Sequence, residues 1–345
     1  MGNNNSKTMR IALDAMGGDF APENEILGAI EVFKSGKAPA GLEIVFVGDE
    51  HKIKKCLAAN DTTGMKYSIV HADEVVTMKD DPTEVIKTKK NSSLYMGADL
   101  HAKGGADAFV SAGNTGAMLS ISTILLGRIK GVSRPTIGTF LPSDAATPVL
   151  LLDAGANVDC KARFLYEFAV MGSIYTSQML NIKSPKIGLL SIGEEDKKGN
   201  EAVRQAHQLL KDSNLNFIGN VEGGDIMNGK CDVVVCDGFT GNVVLKFAES
   251  FSGFLKRRFK KFADESLINK ILMAFAMPAL KSVFKQFNYE EYGGVPLLGV
   301  NGVSIIGHGK SSPKAIKNMI LKAVETVQKQ VNSEIGKALI SDEKN

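Results

Sequence analysis

The 345-residue chain has no tryptophan and only four cysteines. Four cysteines do not make a disulfide framework for a chain of this length, and no Cys/His cluster has the spacing of a zinc site. Cys231 and Cys236 flank "DVVV", a pattern typical of a buried strand, so we expect both to be core thiols. The composition therefore predicts no metal site and is that of a protein in a reducing cytoplasm.

Several familiar motifs are also missing. The first predicted strand is followed by "DAMGGD" rather than G-x-G-x-x-G, which disfavours a nicotinamide enzyme. In "SIIGHGKS", Ser304 stands where a Walker motif requires its first glycine. There is no G-x-S-x-G, and no cysteine has an obvious histidine partner. The sequence thus predicts neither a cofactor nor a covalent nucleophile.

What the sequence does contain is an alternation of short apolar runs and amphipathic stretches, which predicts a mainly parallel, three-layer α/β/α fold with a Rossmann-like sheet. The predicted strands are 10–15, 42–48, 106–113, 147–156, 185–193, 231–238 and 303–309. The predicted helices lie near 22–35, 50–59, 91–103, 115–127, 161–180, 200–212 and 312–330. We expect one catalytic domain over 9–335, a disordered leader at 1–8, a polar tail at 336–345 and a crossover at 130–144 that divides the domain weakly.

Five predicted strands end in small-residue turns: "DAMGGD" (14–19), "SAGNTGA" (111–117), "DAGAN" (153–157), "DGFTGN" (237–242) and "GHGKSS" (307–312). The carboxyl ends of parallel strands form the ligand crevice of such sheets. Glycine lets backbone N–H groups approach a ligand, and a following helix N-terminus favours an anion. The turns together predict one shared site for an oxyanion such as phosphate.

Taken in order, "LDAMGGD", "DDPTEVIKTKKNSSL", "SAGNTGAML", "LLDAGAN", "DVVVCDGFTGNVVLK" and "GGVPLLG" resemble the bacterial phosphate acyltransferase (PlsX) family over about residues 9–335. The resemblance implies an isocitrate dehydrogenase/phosphotransacetylase-like fold. It implies transfer of a long-chain fatty acyl group from acyl carrier protein to inorganic phosphate, giving acyl phosphate for phospholipid synthesis. It also implies a homodimer that works beside a membrane glycerol-phosphate acyltransferase.

Each candidate site residue has a structural alternative. We expect His308 to polarise the thioester carbonyl or protonate the leaving thiolate, with Asn114 and Lys89 as further catalytic candidates. The alternatives are a structural histidine, a simple helix cap and a solvated basic face. The predicted phosphate-binding residues are Gly17, Gly18, Ser111, Gly113, Asn114, Thr115, Gly116, Lys87, Ser92 and Ser93. The predicted site-shaping residues are Asp14, Asp19, Asp153, Asn157, Asp237 and Asn242.

Residues 250–287 are predicted to form a protruding amphipathic helical hairpin. Between 251 and 287 there are eight Lys/Arg and two Asp/Glu, although the whole chain has a net charge of only +3. The segment "ILMAFAMPAL" at 271–280 is too short to span a bilayer, which takes about twenty apolar residues, and Pro278 should end or start a helix. A basic amphipathic helix beside an apolar tip is typical of an interfacial membrane contact, and the same charge suits an acidic acyl carrier protein. The candidate contacts are Lys256, Arg257, Lys260, Lys261, Leu272, Met273, Phe275 and Met277.

Other functions stay open on the sequence alone. One is a phosphotransacetylase-like activity on acyl-coenzyme A, and another is a non-catalytic membrane-associated protein that binds acyl carrier protein or a phosphorylated ligand. Nucleic acid is not an expected partner, because no recognition motif accompanies the basic run. We expect a cytoplasmic location at the inner face of the cell membrane, with the dimer face on helix 161–180 or 240–262.

Overall fold

The computed structural model describes residues 8–285, 290 and 293–342, which contain eleven strands and twelve helices. The strands are β1 (Met9–Asp14), β2 (Leu42–Gly48), β3 (Tyr67–His71), β4 (Ala108–Ser111), β5 (Thr136–Leu141), β6 (Val149–Leu152), β7 (Ile187–Leu190), β8 (Phe217–Val221), β9 (Val233–Val235), β10 (Val295–Leu298) and β11 (Val303–Ile306). The helices are α1 (Glu23–Lys34), α2 (Glu50–Ala58), α3 (Val85–Thr88), α4 (Ser93–Ala102), α5 (Thr115–Leu125), α6 (Ala162–Leu180), α7 (Glu201–Lys211), α8 (Asp225–Asn228), α9 (Gly238–Asp264), α10 (Leu267–Lys285), α11 (Pro313–Gln328) and α12 (Val331–Asp342).

All the strands join one sheet in the order β3-β2-β1-β4-β11-β10-β5-β6-β9-β7-β8. The first five run parallel to one another, as do the last four. Between these groups, β10 is antiparallel to both β11 and β5, and β5 is antiparallel to β6. The second group of parallel strands therefore points in the opposite direction to the first.

Helices cover both faces of the sheet, which confirms the predicted α/β architecture. In β1, Ile11 and Leu13 pack on the side of α1 and α11, whereas Ala12 packs on the side of α4 and α5. This alternation is the two-residue period of a strand whose faces are both buried. In the second group, Leu150 and Leu152 face α6, and Leu151 faces the opposite side.

Two sequence expectations on organisation are wrong. The supposed crossover at 130–144 contains β5, a fully buried central strand whose proline- and serine-rich flanks hide it in the sequence. The supposed polar tail at 336–345 begins inside α12, and Leu339 is fully buried against the α6 side of the core. Positions 1–7 of the predicted leader and 343–345 of the tail lie outside the described residues.

The helical hairpin is longer than predicted, because α9 already begins at Gly238. Pro278 lies inside α10 and neither ends nor starts it, although an interior proline removes one backbone hydrogen bond. Residues 286 and 287 of the predicted hairpin lie outside the described part of the chain. Across the described residues, none of the helices offers an apolar stretch long enough to cross a bilayer.

Candidate functional site

Three of the five small-residue turns meet at the carboxyl ends of β1, β4 and β11. The Ser111 hydroxyl donates to Asp14 Oδ2 at 2.7 Å, and the Gly307 amide donates to the Ser111 carbonyl at 2.8 Å. The Asp19 amide donates to the Gly309 carbonyl at 2.7 Å. We call the site formed by residues 14–19, 111–116 and 307–311 the candidate phosphate pocket. Neighbouring parallel strands explain why these turns, far apart in sequence, share one edge of the sheet.

The other two turns do not join this pocket. They follow β6 and β9, which run opposite to β4 and β11, so they lie at the opposite edge of the sheet. The prediction of one shared site for all five turns is therefore wrong. Its cause is the pair of antiparallel strands β10 and β5, neither of which was predicted.

The residues at that opposite edge are engaged in local structure. Asp153 is fully buried and accepts hydrogen bonds from the amides of Ile137, Gly155, Ala156 and Asn157. Asp237 caps α9 by accepting from the amide and hydroxyl of Thr240. Asn157 donates to Asp153 and to the Pro135 carbonyl, and Asn242 packs close to Gly155. These contacts favour a structural role for all four predicted site-shaping residues.

Gly17 and Gly18 let the first turn approach its neighbours closely. A Cβ atom on Gly17 would lie 2.5 Å from Asp14 Oδ2 and 2.9 Å from the Gly113 amide nitrogen. A Cβ atom on Gly18 would lie 2.3 Å from Glu25 Oε1. Real Cβ contacts are not that short, so a side chain at Gly17 would clash with the Gly113 backbone, whereas one at Gly18 would require the Glu25 carboxylate to move.

Asn114 caps α5 and ties a neighbouring loop to it. Its Oδ1 accepts from the Ala117 amide at 3.0 Å, while its Nδ2 donates to the carbonyls of Thr77 and Asp80 at 3.1 and 3.3 Å. The side-chain amide is thus committed, and its predicted use as a phosphate donor is not what the geometry shows. The backbone amides of Thr115 and Gly116 belong to the first turn of α5, where N–H groups have no carbonyl of their own helix to bond.

Lys89 and Ser92 also serve the scaffold rather than the pocket. Lys89 Nζ donates to Asp80 Oδ2 at 2.7 Å and to the Val75 carbonyl at 2.9 Å, and this pairing lowers the pKa of Asp80 to about 2. Ser92 caps α4 through the Tyr95 amide and donates to the Lys89 carbonyl. Lys89 therefore braces the loop 75–82 that Asn114 also contacts, and Ser92 holds the start of α4. Lys87 is exposed on α3.

Asp14 is the centre of a buried polar cluster. It accepts from the hydroxyls of Ser111 and Ser93 and from the Met16 amide. Burial raises its pKa, while these three donors oppose the shift. Ser93, predicted to bind phosphate, is buried and contacts Asp14.

Glu25 is the residue that the sequence reasoning missed. It lies on α1, is only 1% exposed, and approaches the Gly18 turn from inside the protein. Burial raises its pKa to about 8, with the nearby charge of Asp14 adding to the effect. No local sequence signal marks Glu25, because an acidic residue in the first turn of a helix is ordinary and its burial against the Gly18 turn is a tertiary property.

His308 and Asp19 are exposed on the last and the first of the three turns. His308 Nδ1 accepts a hydrogen bond from the Lys310 amide at 3.2 Å. In the neutral ring this contact leaves the hydrogen on Nε2, which becomes the donor. The Ser311 amide and hydroxyl both donate to the His308 carbonyl and hold the turn in place.

On the hairpin, seven of the eight predicted contact residues are accessible. Lys256, Arg257, Lys260 and Lys261 are exposed on α9, and Leu272, Phe275 and Met277 are exposed on α10. Met273 is buried, so its predicted role as a surface contact is wrong; it occupies the inner side of the hairpin. The exposed apolar surface also includes Leu267 and Ile268, just beyond the α9–α10 turn, which the prediction did not name.

The pocket has the chemistry of an anion site built from backbone groups. The N-terminus of α5, which follows the 111–114 turn, carries the positive end of the helix dipole and first-turn amides that have no carbonyl partner within the helix. The side chains around it are held by their own hydrogen bonds, so little reorganisation is needed when an anion enters. Such a site suits a tetrahedral oxyanion and a reaction that depends on positioning.

The chain is similar to known proteins over almost its whole length. Residues 9–334 match the family model described as "Fatty acid synthesis protein". The phosphate acyltransferase of Thermodesulfovibrio yellowstonii is 48% identical over 331 residues, covering 96% of this chain and 94% of that protein. The phosphate acyltransferase of Pelotomaculum thermopropionicum is 46% identical over 335 residues, covering 97% of this chain and 96% of that protein.

Solved structures share the fold at low sequence identity. A phosphotransacetylase from Streptococcus pyogenes superposes with a TM-score of 0.63 at 18% identity, covering 94% of this chain and 95% of that one. A phosphotransacetylase from Staphylococcus aureus superposes with a TM-score of 0.59 at 17% identity, covering 93% of this chain and 94% of that one. These similarities confirm the predicted phosphotransacetylase-like fold.

Proposed function

Because the chain belongs to the phosphate acyltransferase family, we propose that this acyltransferase moves a long-chain acyl group from acyl carrier protein to inorganic phosphate. The product is an acyl phosphate, a reactive anhydride that a membrane glycerol-phosphate acyltransferase consumes in phospholipid synthesis. The observation that carries the proposal is the convergence of three glycine-containing turns and the α5 N-terminus on one pocket.

The reaction needs an oriented dianion more than a strong base. A phosphate oxygen attacks the thioester carbonyl carbon, a tetrahedral oxyanion forms, and the carbon–sulfur bond breaks to release the carrier thiolate. Phosphate is already largely ionised near neutral pH, so the pocket must strip it of water and aim it. Backbone N–H groups in the first turn of α5 hold the phosphate, and His308 Nε2 donates to the developing oxyanion or the thiolate.

The hairpin supports a location at the membrane. Its exposed basic residues face an anionic surface, and the apolar tip at Leu267, Ile268, Leu272 and Phe275 enters the interface. Each basic residue near an anionic leaflet contributes roughly 1 kcal/mol, which gives reversible attachment. The enzyme then delivers a short-lived product where the next acyltransferase works.

The exposed face of α9 supports a homodimer. Phe239, Val243, Phe247, Phe251 and Phe254 recur at helical spacing, and each is about half exposed or more. The ring centroids of Phe247 and Phe251 lie 6.2 Å apart in a stacked pair. Helix α6, the other candidate face, is already packed against α7, α12 and the sheet. A second copy that covers the α9 stripe would bury this apolar surface.

The direct test is incubation of the protein with acyl carrier thioester and phosphate. Release of free carrier together with acyl phosphate, strictly dependent on phosphate, is the expected result. Faster turnover with acyl-coenzyme A than with the carrier thioester would point to a phosphotransacetylase-like donor preference instead. Tight binding of the carrier without any release of thiol would contradict the proposal and indicate a binding protein.

A further inference from the structure

Glu25 presents an unusual group behind the candidate phosphate pocket. Its carboxylate shares a hydrogen bond with the Gly18 amide, yet Oε2 is fully buried and has no hydrogen-bond partner among the described residues. A buried polar atom left without a partner costs roughly 1–3 kcal/mol, and an unpaired buried charge costs more. The least costly state of this carboxyl is therefore the neutral acid.

Asp14 explains why the proton resides on Glu25 rather than on Asp14. Three donors, the hydroxyls of Ser111 and Ser93 and the Met16 amide, stabilise the ionised form of Asp14. The Glu25 carboxyl accepts only from the backbone, and the Asp14 charge opposes its ionisation. When two buried carboxyls lie close together, the one that accepts more hydrogen bonds from side-chain and backbone donors ionises at the lower pH.

We propose that Glu25 is a positioning residue that holds a proton beneath the Gly17–Gly18 turn, so that a phosphate dianion can bind beside the Asp14 carboxylate. The inference deepens the proposed function and rests on it. Ionised Glu25 would place a second buried negative charge against the incoming dianion and weaken its binding. Burial raises the pKa of Glu25 to about 8, so this loss is expected as the pH rises above 8.

Other titratable groups surround Glu25, and the variant that tests its role must leave them unchanged. The nearest elements carry Glu23 on α1, Asp14 and Asp19 on the first turn, Cys56 on α2, and His308 and Lys310 on the last turn. Helix α11 packs against α1 and contributes Lys317, which pairs with Glu31. Burial raises the pKa of the Cys56 thiol above its ordinary value, which opposes its ionisation. A Glu25→Gln variant retains all of these groups and removes only the ionisable carboxyl of Glu25.

The test compares the phosphate KM of the parent and of Glu25→Gln between pH 7 and 9, with phosphate expressed as its dianion and the acyl donor saturating. If only the neutral form of Glu25 permits binding, the parent KM rises about tenfold by pH 9. The phosphate KM of Glu25→Gln should change less than about twofold over the same pH range. A Glu25→Gln profile that follows the parent profile would overturn the inference.

A binding measurement separates this outcome from failure of the proposed function. Calorimetric titration of the parent with inorganic phosphate at pH 7 and pH 9 requires no turnover, and the melting temperature of each variant reports its folding. Equal affinity at both pH values would overturn the inference even if Glu25→Gln does not fold. Absence of acyl transfer by the parent at pH 7 would instead remove the proposed function.

Discussion

His308 is the side chain that we propose as the proton donor in the reaction. It is exposed on the last of the three turns, and its Nδ1 contact with the Lys310 amide leaves Nε2 as the donor. We expect His308→Ala to lower kcat at least tenfold while the phosphate KM changes little, because the backbone amides still bind phosphate. His308→Gln, which keeps a donor, should recover part of the loss. A fall of less than threefold for His308→Ala, measured by carrier release, would remove this role.

At the scale of residues, the sequence predicted that glycine turns gather at one site, and the structure brings three of the five together. Asn114 and Lys89 were predicted as ligands because amides and cations before a helix often bind phosphate. Their side chains instead donate to carbonyl groups and to Asp80 in the loop 75–82. That loop lies next to Asn114 only in the folded protein, so the sequence does not reveal the contact. Glu25 was missed because its character comes from burial against a turn, and burial is a tertiary property.

At the scale of elements, the basic hairpin makes a prediction about membrane attachment. Lys260→Glu/Lys261→Glu should weaken binding to anionic vesicles at least about 30-fold, since each charge near the leaflet contributes roughly 1 kcal/mol and both are reversed. Turnover with soluble carrier thioester should stay within about twofold of the parent. Flotation with vesicles of defined anionic lipid content measures the binding, and release of free carrier measures the turnover.

The matched control reverses two exposed lysines elsewhere, in Lys197→Glu/Lys198→Glu on the loop after β7. It produces the same change in net charge and should leave vesicle binding unchanged. If Lys260→Glu/Lys261→Glu loses turnover while vesicle binding persists, the hairpin docks the acyl carrier protein instead. Equal loss of vesicle binding in both variants would show that net charge alone drives the attachment.

The elements themselves were largely predictable. Seven strands and seven helices were placed within a few residues, because apolar runs, glycine corners and capping residues are local signals. Strands β3, β5, β8 and β10 were missed, and the direction reversal came with β5 and β10. Strand direction depends on which edge a strand pairs with, and no local pattern encodes that choice.

At the scale of the whole molecule, the apolar stripe on α9 predicts the oligomeric state. Phe247→Glu/Phe251→Glu would place two charges in the proposed contact, where burying an unpaired charge is costly, so a monomer should result. Light scattering after size-exclusion chromatography should give twice the 36.9 kDa chain mass for the parent and one chain mass for the variant. Ile192→Glu is the control, because Ile192 is 83% exposed on a different part of the surface and should not alter the mass. A parent that runs as a monomer would contradict the proposed dimer.

The sheet presents two separate sets of glycine turns at opposite edges, and the proposed reaction takes place at only one of them. The most direct measurement is a crystal structure of the protein soaked in phosphate. We predict phosphate density in the pocket at the ends of β1, β4 and β11, within hydrogen-bond distance of the Thr115 and Gly116 amides. Phosphate bound only near Asp153 and Asp237 at the other edge, with the first pocket empty, would contradict the account.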